Sequence, residues 1–149
     1  MTATTSFHST SLQTDRVAML GPVRYVPAFG RLLMGTIFLA SGLSKLSAPA
    51  ATLGYIESAG LPLPVAALAV SVAVEVGGSL LLIAGYRTRL VALVLALFSV
   101  VTAFAFHTAF SDQNQMIHFL KNLAIAGGLL QVVSFGAGVL SLDNRVGRA

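Results

Sequence analysis

Four long apolar segments, separated by short polar stretches, dominate the hydrophobic pattern of this chain. They cover about residues 25–46, 63–85, 90–110 and 117–139. Each is close to the roughly 20 residues that an α-helix needs to cross a bilayer. Charged residues are few inside these segments and are concentrated between them. The pattern therefore predicts an all-α fold, an integral membrane bundle of four transmembrane helices.

A short additional helix is expected between the first two spans. Ser47 is a suitable N-cap with Pro49 in the first turn, and Gly60 can end the helix. A helix at about 49–59 is too short to cross a bilayer, and Tyr55 is typical of rings at the headgroup level. We therefore predict a short interfacial helix after the first span.

The composition agrees with a membrane location and narrows the chemistry. Of the 149 residues, 56% are hydrophobic and only 9% are charged, against about 25% charged in ordinary soluble domains. The net charge of +4 reflects few acids, and no basic run contains interleaved aromatics, so we predict no nucleic-acid partner. The chain has no cysteine and hence no thiol or iron–sulfur chemistry of its own. A redox role would require a bound cofactor or a partner.

Arginines are concentrated at one end of the predicted bundle. With four spans, one side carries Arg16, Arg24, Arg87, Arg89, Arg145 and Arg148. Lys45 and Lys121 lie toward the other side. The positive-inside rule then places both termini in the cytoplasm. The predicted organisation is a flexible cytoplasmic tail at 1–24, a membrane domain at 25–143 and a short cytoplasmic tail at 144–149.

One acid and one base stand inside the first two spans. Glu75 lies near the middle of the second span and Arg31 lies in the first. A bare charge in hydrocarbon is costly, so each needs a partner. Because the two spans run in opposite directions, we expect Arg31 and Glu75 to form a buried polar pair. The pair has two interpretations, a structural ion pair that fastens two helices or a proton or substrate site.

A second polar group lies where three spans end on the outer side, away from the termini. Its members are Lys45, His107, His118, Lys121 and Asn122. Either these side chains reach lipid headgroups, or they line an outward-facing pocket for an anion or a quinone headgroup. In the second case His107 donates a hydrogen bond. No His or carboxylate pair has the helical spacing of a metal site, so we predict no metal.

Glycines mark the faces on which the helices are expected to approach closely. In the first span, Gly35 and Gly42 share one helical stripe with Arg31 and Lys45. Glycine pairs follow in the second and fourth spans. The predicted packing set is Gly35, Gly42, Gly77, Gly78, Gly127 and Gly128.

Six motifs follow one another between residues 31 and 143. They are RLLMGTIFLASGLSKL at 31–46, ESAGLPLP at 57–64, VEVGGSLLLIAGYRTRL at 74–90, FAFHTAF at 104–110, KNLAIAGGLLQ at 121–131 and GAGVLSLD at 136–143. In order and spacing they resemble the DoxX family of small bacterial membrane proteins. The resemblance implies a four-helix integral protein of the bacterial cytoplasmic, or inner, membrane.

The same resemblance implies a redox context. The family name comes from similarity to a membrane subunit of thiosulfate:quinone oxidoreductase, and some members are linked to oxidative-stress assemblies. The first functional hypothesis is thus a membrane subunit or anchor of a quinone-linked redox system, with quinone as cofactor and a soluble or membrane oxidoreductase as partner. The positions carried over from the family motifs are Arg31, Gly42, Lys45, Glu75, Gly78, His107, Lys121, Asn122 and Gly128.

Two other functions fit the same pattern. A small-solute transporter component would use Glu75 as its coupling carboxylate and, having only four helices, would need to form a homo-oligomer. A structural membrane scaffold would use its buried charges only to specify packing. No residue is assigned a catalytic role. If the chain belongs to an enzyme, we expect a non-catalytic or quinone-interacting subunit of an oxidoreductase.

Overall fold

The computed structural model of the protein describes residues 22–146. After a 3₁₀ turn at Pro22–Tyr25, the helices are α1 (Val26–Ser47), α2 (Pro49–Ser58), α3 (Pro64–Ala84), α4 (Thr88–Phe106), α5 (Gln113–Phe135) and α6 (Leu142–Val146). This part of the chain contains no strand. The predicted all-α fold is confirmed.

Four of these helices, α1, α3, α4 and α5, are long and apolar enough to cross a membrane. The predicted number of spans is therefore confirmed, although α4 ends four residues earlier than expected and α5 begins earlier. Helix α5 begins early because the Asp112 carboxylate caps it, accepting the backbone N–H of Asn114 at 2.7 Å and of Gln115 at 3.3 Å. Helix α4 ends where His107 leaves the helical conformation, at φ −131° and ψ 42°. Residues between Phe106 and Asp112 are consequently a turn rather than helix.

The predicted tails fall largely outside the described part of the chain. Residues 1–21 and 147–149 are not covered, so the expected flexible tail and its cytoplasmic location stay predictions. Within the described residues, the end of the first tail is the 3₁₀ turn at Pro22–Tyr25, and the start of the second belongs to α6.

The core of the bundle lies where α1, α3, α4 and α5 converge. Its centre consists of Phe38, Leu82, Leu95 and Leu129, the last three of which are fully buried. Large apolar side chains on the outer faces, such as Phe135, are exposed. This distribution is expected for helices surrounded by lipid, in which outer and inner side chains are equally apolar.

Helices α1 and α3 cross closely at two glycines. A Cβ atom on Gly42 would lie 2.7 Å from Cγ2 of Val76 and 3.1 Å from Cβ of Glu75. One on Gly35 would lie 2.9 Å from Cδ1 of Ile83. Each glycine thus admits the neighbouring helix, and together they fix the register of the antiparallel pair.

The glycine pairs of α3 and α5 behave differently from what the sequence predicts. A Cβ on Gly78 would lie 3.0 Å from Leu95, and one on Gly128 would lie 3.4 Å from Sδ of Met34. At Gly77 and Gly127, however, a Cβ would meet no heavy atom within 4 Å. Adjacent residues point about 100° apart on a helix, so only one glycine of each pair faces a neighbour.

Helix α3 contains one turn of π-helix at Ala73–Gly77. Such a turn holds one more residue than an α-helical turn and is frequent at functional sites. Glu75 occupies its centre and is directed toward α1, where it is 4% exposed. The widened turn therefore places the carboxylate at the interface of two spans.

The short helix α2 is present where the sequence predicts it. Ile56 is buried, and the Tyr55 ring stacks on Phe106 of α4 with 5.2 Å between ring centroids. These contacts hold α2 against the end of the bundle opposite the termini. Its location at the bilayer interface stays a prediction.

At the other end, the start of α1, the α3–α4 turn and the segment after α5 meet, and we call this the terminal end. The Asp143 carboxylate accepts the backbone N–H of Arg87 at 2.7 Å and of Thr88 at 2.9 Å. The backbone N–H of Asp143 donates to the carbonyl of Gly85 at 2.9 Å. Asp143 thus caps the first turn of α4 from a distant part of the chain.

Because the Asp143 carboxylate caps α4 in its charged form, we expect the stability of the fold to decrease in acid. Burial tends to raise the pKa of Asp143, but hydrogen bonds from Thr88 and from the Arg87 amide, with the charge of Arg31, hold it below its ordinary value. A carboxylate with a lowered pKa stabilises the fold above its unfolded pKa of about 4, and this contribution is lost as pH falls through the folded pKa.

We therefore expect the melting temperature of the detergent-solubilised protein to fall as pH drops below about 4. The isosteric variant Asp143→Asn should melt lower than the wild type at neutral pH and converge with it in acid. Circular dichroism at a series of pH values measures both curves. If the melting temperatures of the two proteins change with pH in the same way, the Asp143 carboxylate does not contribute this pH-dependent stability.

Candidate functional site

A cavity of about 240 Å³ lies between α1, α2, α3, α4 and the first turns of α5, away from the terminal end. Its polar side chains are Ser41, Lys45, Thr52, Ser71, Glu75, Ser99, Thr102, His107, Lys121 and Asn122. Its apolar walls include Phe38, Tyr55, Phe98 and Phe106. The cavity therefore combines aromatic surfaces with a polar floor.

An ion pair between α1 and α3 forms that floor. Nζ of Lys45 lies 2.7 Å from Oε2 and 2.9 Å from Oε1 of Glu75. The Lys45 ammonium also donates to Oγ of Ser41 at 2.9 Å, and this hydroxyl donates to Oε1 of Glu75 at 3.0 Å. Lys45 and Glu75 neutralise each other, so the three-residue network is a polar but uncharged surface.

The predicted pair of Arg31 with Glu75 does not form. Gly42 is level with Glu75, and Arg31 precedes Gly42 by 11 residues (42 − 31), which is about 16 Å along a helix. The prediction assumed that the ends of the predicted spans are level. The contacts at the glycines instead place α1 about two helical turns away, along its axis, from the alignment that was expected. In this alignment Lys45, not Arg31, lies beside Glu75.

Arg31 has a different set of partners at the terminal end. Its guanidinium is 1% exposed and donates from Nη1 to the carbonyl oxygens of Leu82 at 2.9 Å and Ile83 at 3.2 Å. Nη2 donates to the carbonyl of Leu140. The carbonyls that end a helix carry partial negative charge, so a cation is stabilised there. Arg31 thus joins α1 to the end of α3 and to the segment that leads into α6.

The structure brings four of the five residues of the predicted outer group to the cavity. Lys45, His107, Lys121 and Asn122 line it, whereas His118 lies beside it. The rings of His107 and His118 stack with 5.1 Å between centroids, and Nδ1 of His118 accepts from Nζ of Lys121 at 2.9 Å. His107 is hydrogen-bonded through Nδ1 to Gln115 at 2.8 Å. The two histidines therefore form one stack at the margin of the cavity.

Sequence analysis missed the hydroxyl side chains of the cavity. Ser99 and Thr102 lie one turn apart in the otherwise apolar α4, and this spacing was a usable signal. Both hydroxyls donate to carbonyls of their own helix, Ser99 to Leu95 at 2.9 Å and Thr102 to Ser99 at 3.0 Å. Their oxygens retain the capacity to accept a hydrogen bond.

Within residues 22–146, no group of three or more His, Cys, Asp or Glu side chains is placed to hold a metal ion. The arrangement instead suits a small, neutral molecule that carries hydrogen-bond acceptors on an aromatic-sized ring. The Asn122 amide offers donors, and the aromatic walls offer surfaces for stacking.

Fold and cavity together define a small helical membrane protein with four spans and a polar cavity between them. The DoxX family model matches residues 26–108, more than half of the chain. The chain is 38% identical over 116 residues to the inner membrane protein YqjF of Escherichia coli K12, covering 76% of this chain and 85% of the relative. It is 32% identical over 120 residues to the inner membrane protein YphA of the same organism, covering 77% and 86%. The chain belongs to the DoxX family. No solved structure matches it.

Proposed function

We propose that the protein is a membrane subunit of a quinone-linked redox system and holds a quinone headgroup in the cavity between α1, α2, α3 and α4. The observation that carries this proposal is the neutral Lys45–Glu75 pair at the floor of an aromatic-walled cavity. A quinone presents the complementary features, a flat apolar ring with two carbonyl oxygens.

The size of the cavity supports a ring rather than a larger ligand. At about 240 Å³ it is smaller than the roughly 300–1,000 Å³ typical of drug-sized ligands. A single headgroup occupies such a volume, while its isoprenoid tail lies in the bilayer. Tyr55 and Phe106 stack on each other with 5.2 Å between ring centroids, so a headgroup would lie against this pair and Phe98 rather than between the two rings.

The polar residues supply contacts for the headgroup oxygens. The Asn122 amide is a donor, and His107 lies on the same wall. The three N–H groups of Lys45 are donated to Glu75 and Ser41. If a quinone were bound, its reduction by two electrons would take up two protons. An oxidoreductase partner would supply the electrons, and His107 and the Lys45–Glu75 pair would hold or transfer the protons. With both termini in the cytoplasm, the cavity faces the outer side of the membrane.

A fluorescence titration tests quinone binding directly, because the chain contains no tryptophan. Phe106→Trp places a single reporter in the cavity wall, and Phe135→Trp places one at the terminal end, where Phe135 is 81% exposed. A short-tailed ubiquinone analogue should quench the first reporter saturably and the second only in proportion to its concentration in the detergent. Asn122→Leu in the Phe106→Trp background should weaken binding about tenfold, the value of one lost hydrogen bond.

Two results would contradict the proposal. One is equal, non-saturable quenching of both reporters, which would indicate partitioning into detergent without a site. The other is saturable quenching that Asn122→Leu leaves unchanged, which would place the quinone outside the cavity. The first result in a folded protein would favour the structural scaffold.

A further inference from the structure

We propose that a second, open cavity at the terminal end binds the phosphate group of an anionic phospholipid. The cavity, of about 710 Å³, lies between the first turn of α4 and the segment 136–144. Two of its lining residues, Arg87 and Arg89, are exposed arginines. This site is at the opposite end of the bundle from the quinone cavity, and the two proposals are independent.

The two guanidinium groups are available to a ligand. Within residues 22–146, the side chains of Arg87 and Arg89 make no salt bridge and no hydrogen bond. Nε and Nη2 of Arg89 lie beside Gly136, where a Cβ would be 3.6 and 3.7 Å away. A guanidinium presents donors in a planar fork that matches phosphate oxygens, and two of them favour an anion.

Asp143 is the one acid among the described residues that line this cavity, and its carboxylate is bonded to the backbone. Both oxygens of Asp143 accept backbone N–H groups of the α3–α4 turn, at 2.7 and 2.9 Å. Among the described residues that line the cavity, two arginines stand against one carboxylate, so this lining keeps a net positive charge.

The backbone conformation of Arg87 is held by Asp143 and not by the Arg87 side chain. Its φ is 44°, in the left-handed region that glycine adopts freely and other residues adopt with strain. Asp143 holds this conformation through the Arg87 N–H, a contact that requires no side chain at position 87. The Arg87 guanidinium is therefore not needed to hold the turn.

The apolar border of the cavity distinguishes a lipid from a soluble anion. Leu90, Phe135 and Val139 are 56%, 81% and 49% exposed and line the same cavity as the arginines. Cations beside exposed apolar side chains at the end of a membrane span fit a headgroup phosphate with acyl chains along the helices. A phosphate ion in water would gain nothing from this apolar border.

Native mass spectrometry of the full chain in mild detergent tests the lipid site. With equal amounts of phosphatidylglycerol and phosphatidylethanolamine added, the wild type should retain the anionic lipid preferentially. The double variant Arg87→Gly, Arg89→Gln should lose at least about tenfold in retention, as expected for lost charged hydrogen bonds. Because glycine relieves the left-handed strain, Arg87→Gly alone should melt no lower than the wild type, which separates lost binding from unfolding.

A matched control is Arg24→Gln. It removes one positive charge at the same end, but the Arg24 guanidinium already lies over the Tyr25 ring, 4.6 Å from its centroid. This variant should retain phosphatidylglycerol as the wild type does. Equal retention of both lipids by the wild type, or unchanged retention by the double variant, would overturn the proposal. Displacement of the lipid by millimolar inorganic phosphate would also overturn it, since the site would then be one for a soluble anion.

Discussion

Replacing Lys45 by methionine should destabilise the protein by about 3–5 kcal/mol, the cost of leaving one charge of a buried pair without its partner. The methionine is similar in length, so packing changes little. Glu75 is 4% exposed and would keep only the Ser41 hydroxyl as a partner. An ionised carboxylate in that position is costly, and the protein loses stability whether the group stays charged or takes up a proton.

The double variant Lys45→Met, Glu75→Met should recover much of this loss, because it removes both charges from the interface. Equilibrium unfolding of the two single variants and the double variant in mixed micelles, followed by circular dichroism, gives the coupling energy. Lys121→Met is the control, since Lys121 also lines the cavity but is exposed and has no carboxylate partner within residues 22–146. It should change stability by less than about 0.5 kcal/mol. Additive effects of Lys45→Met and Glu75→Met would show that the pair is not coupled.

The same double variant separates packing from ligand binding. If the pair serves only to fasten α1 to α3, the refolded double variant should bind the quinone analogue like the wild type. The proposed function requires that saturable binding be lost although the fold is retained.

The second large effect is expected at Gly42, where alanine should destabilise the bundle by about 1–3 kcal/mol through overpacking. The added methyl would lie 2.7 Å from Cγ2 of Val76 and 3.3 Å from its backbone nitrogen, so α1 and α3 must separate. Separation also lengthens the Lys45–Glu75 contact, which adds to the loss.

Gly127→Ala is the matched control for this substitution. Gly127 lies within α5, and a Cβ there would meet nothing within 4 Å. Alanine in a helix is more favourable than glycine by up to about 1 kcal/mol, so this variant should be neutral or stabilised. The two substitutions are chemically identical and should differ in sign. Destabilisation of the same size at both positions would mean that helix propensity or detergent, rather than the α1–α3 contact, controls the effect.

The sequence was sufficient for the helices because each span is long, apolar and bounded by polar or glycine residues. It also predicted α2, where Pro49 and Gly60 mark the limits. It was not sufficient for the length of α4, since the apolar run continues to Phe110 while the helix ends at Phe106. Helix α4 ends where His107 leaves the helical conformation, and Asp112 caps the start of α5 after a short turn; hydropathy reports neither.

Which cation pairs with Glu75 depends on the register of α1 against α3. The hydrophobic pattern of the sequence does not determine this register. Arg31 and Lys45 lie on the same stripe of α1, so both face α3, and either is a plausible partner for Glu75 by direction alone. The choice is made by Gly35 and Gly42, which admit Ile83 and Val76 and so set the level of the two helices. Because the ends of hydrophobic segments are uncertain by several residues, they did not determine this level.

The composition of the cavity was only partly predictable. Lys45, His107, Lys121 and Asn122 were identified because polar side chains at the ends of spans are conspicuous. Glu75 was expected to face Arg31, and its place in the same cavity follows from the register and from the π-helical turn. Ser99 and Thr102 resemble ordinary helix residues that bond to their own backbone.

The π-helical turn at Ala73–Gly77 also affects how this protein can change in evolution. Such a turn differs from regular helix by one inserted residue, so deletion of a single codon within it would restore an α-helix. A π-helical turn covers about the same rotation as an α-helical turn with one residue fewer, so the parts of α3 before and after the deletion would keep their relative orientation, and Ser71 would stay at the cavity. Loss of one residue from a regular α-helical turn elsewhere in α3 would instead rotate the two parts by about 100° relative to each other. The π-helical turn therefore allows α3 to lose a residue beside Glu75 without changing which side chains before and after it face the bundle.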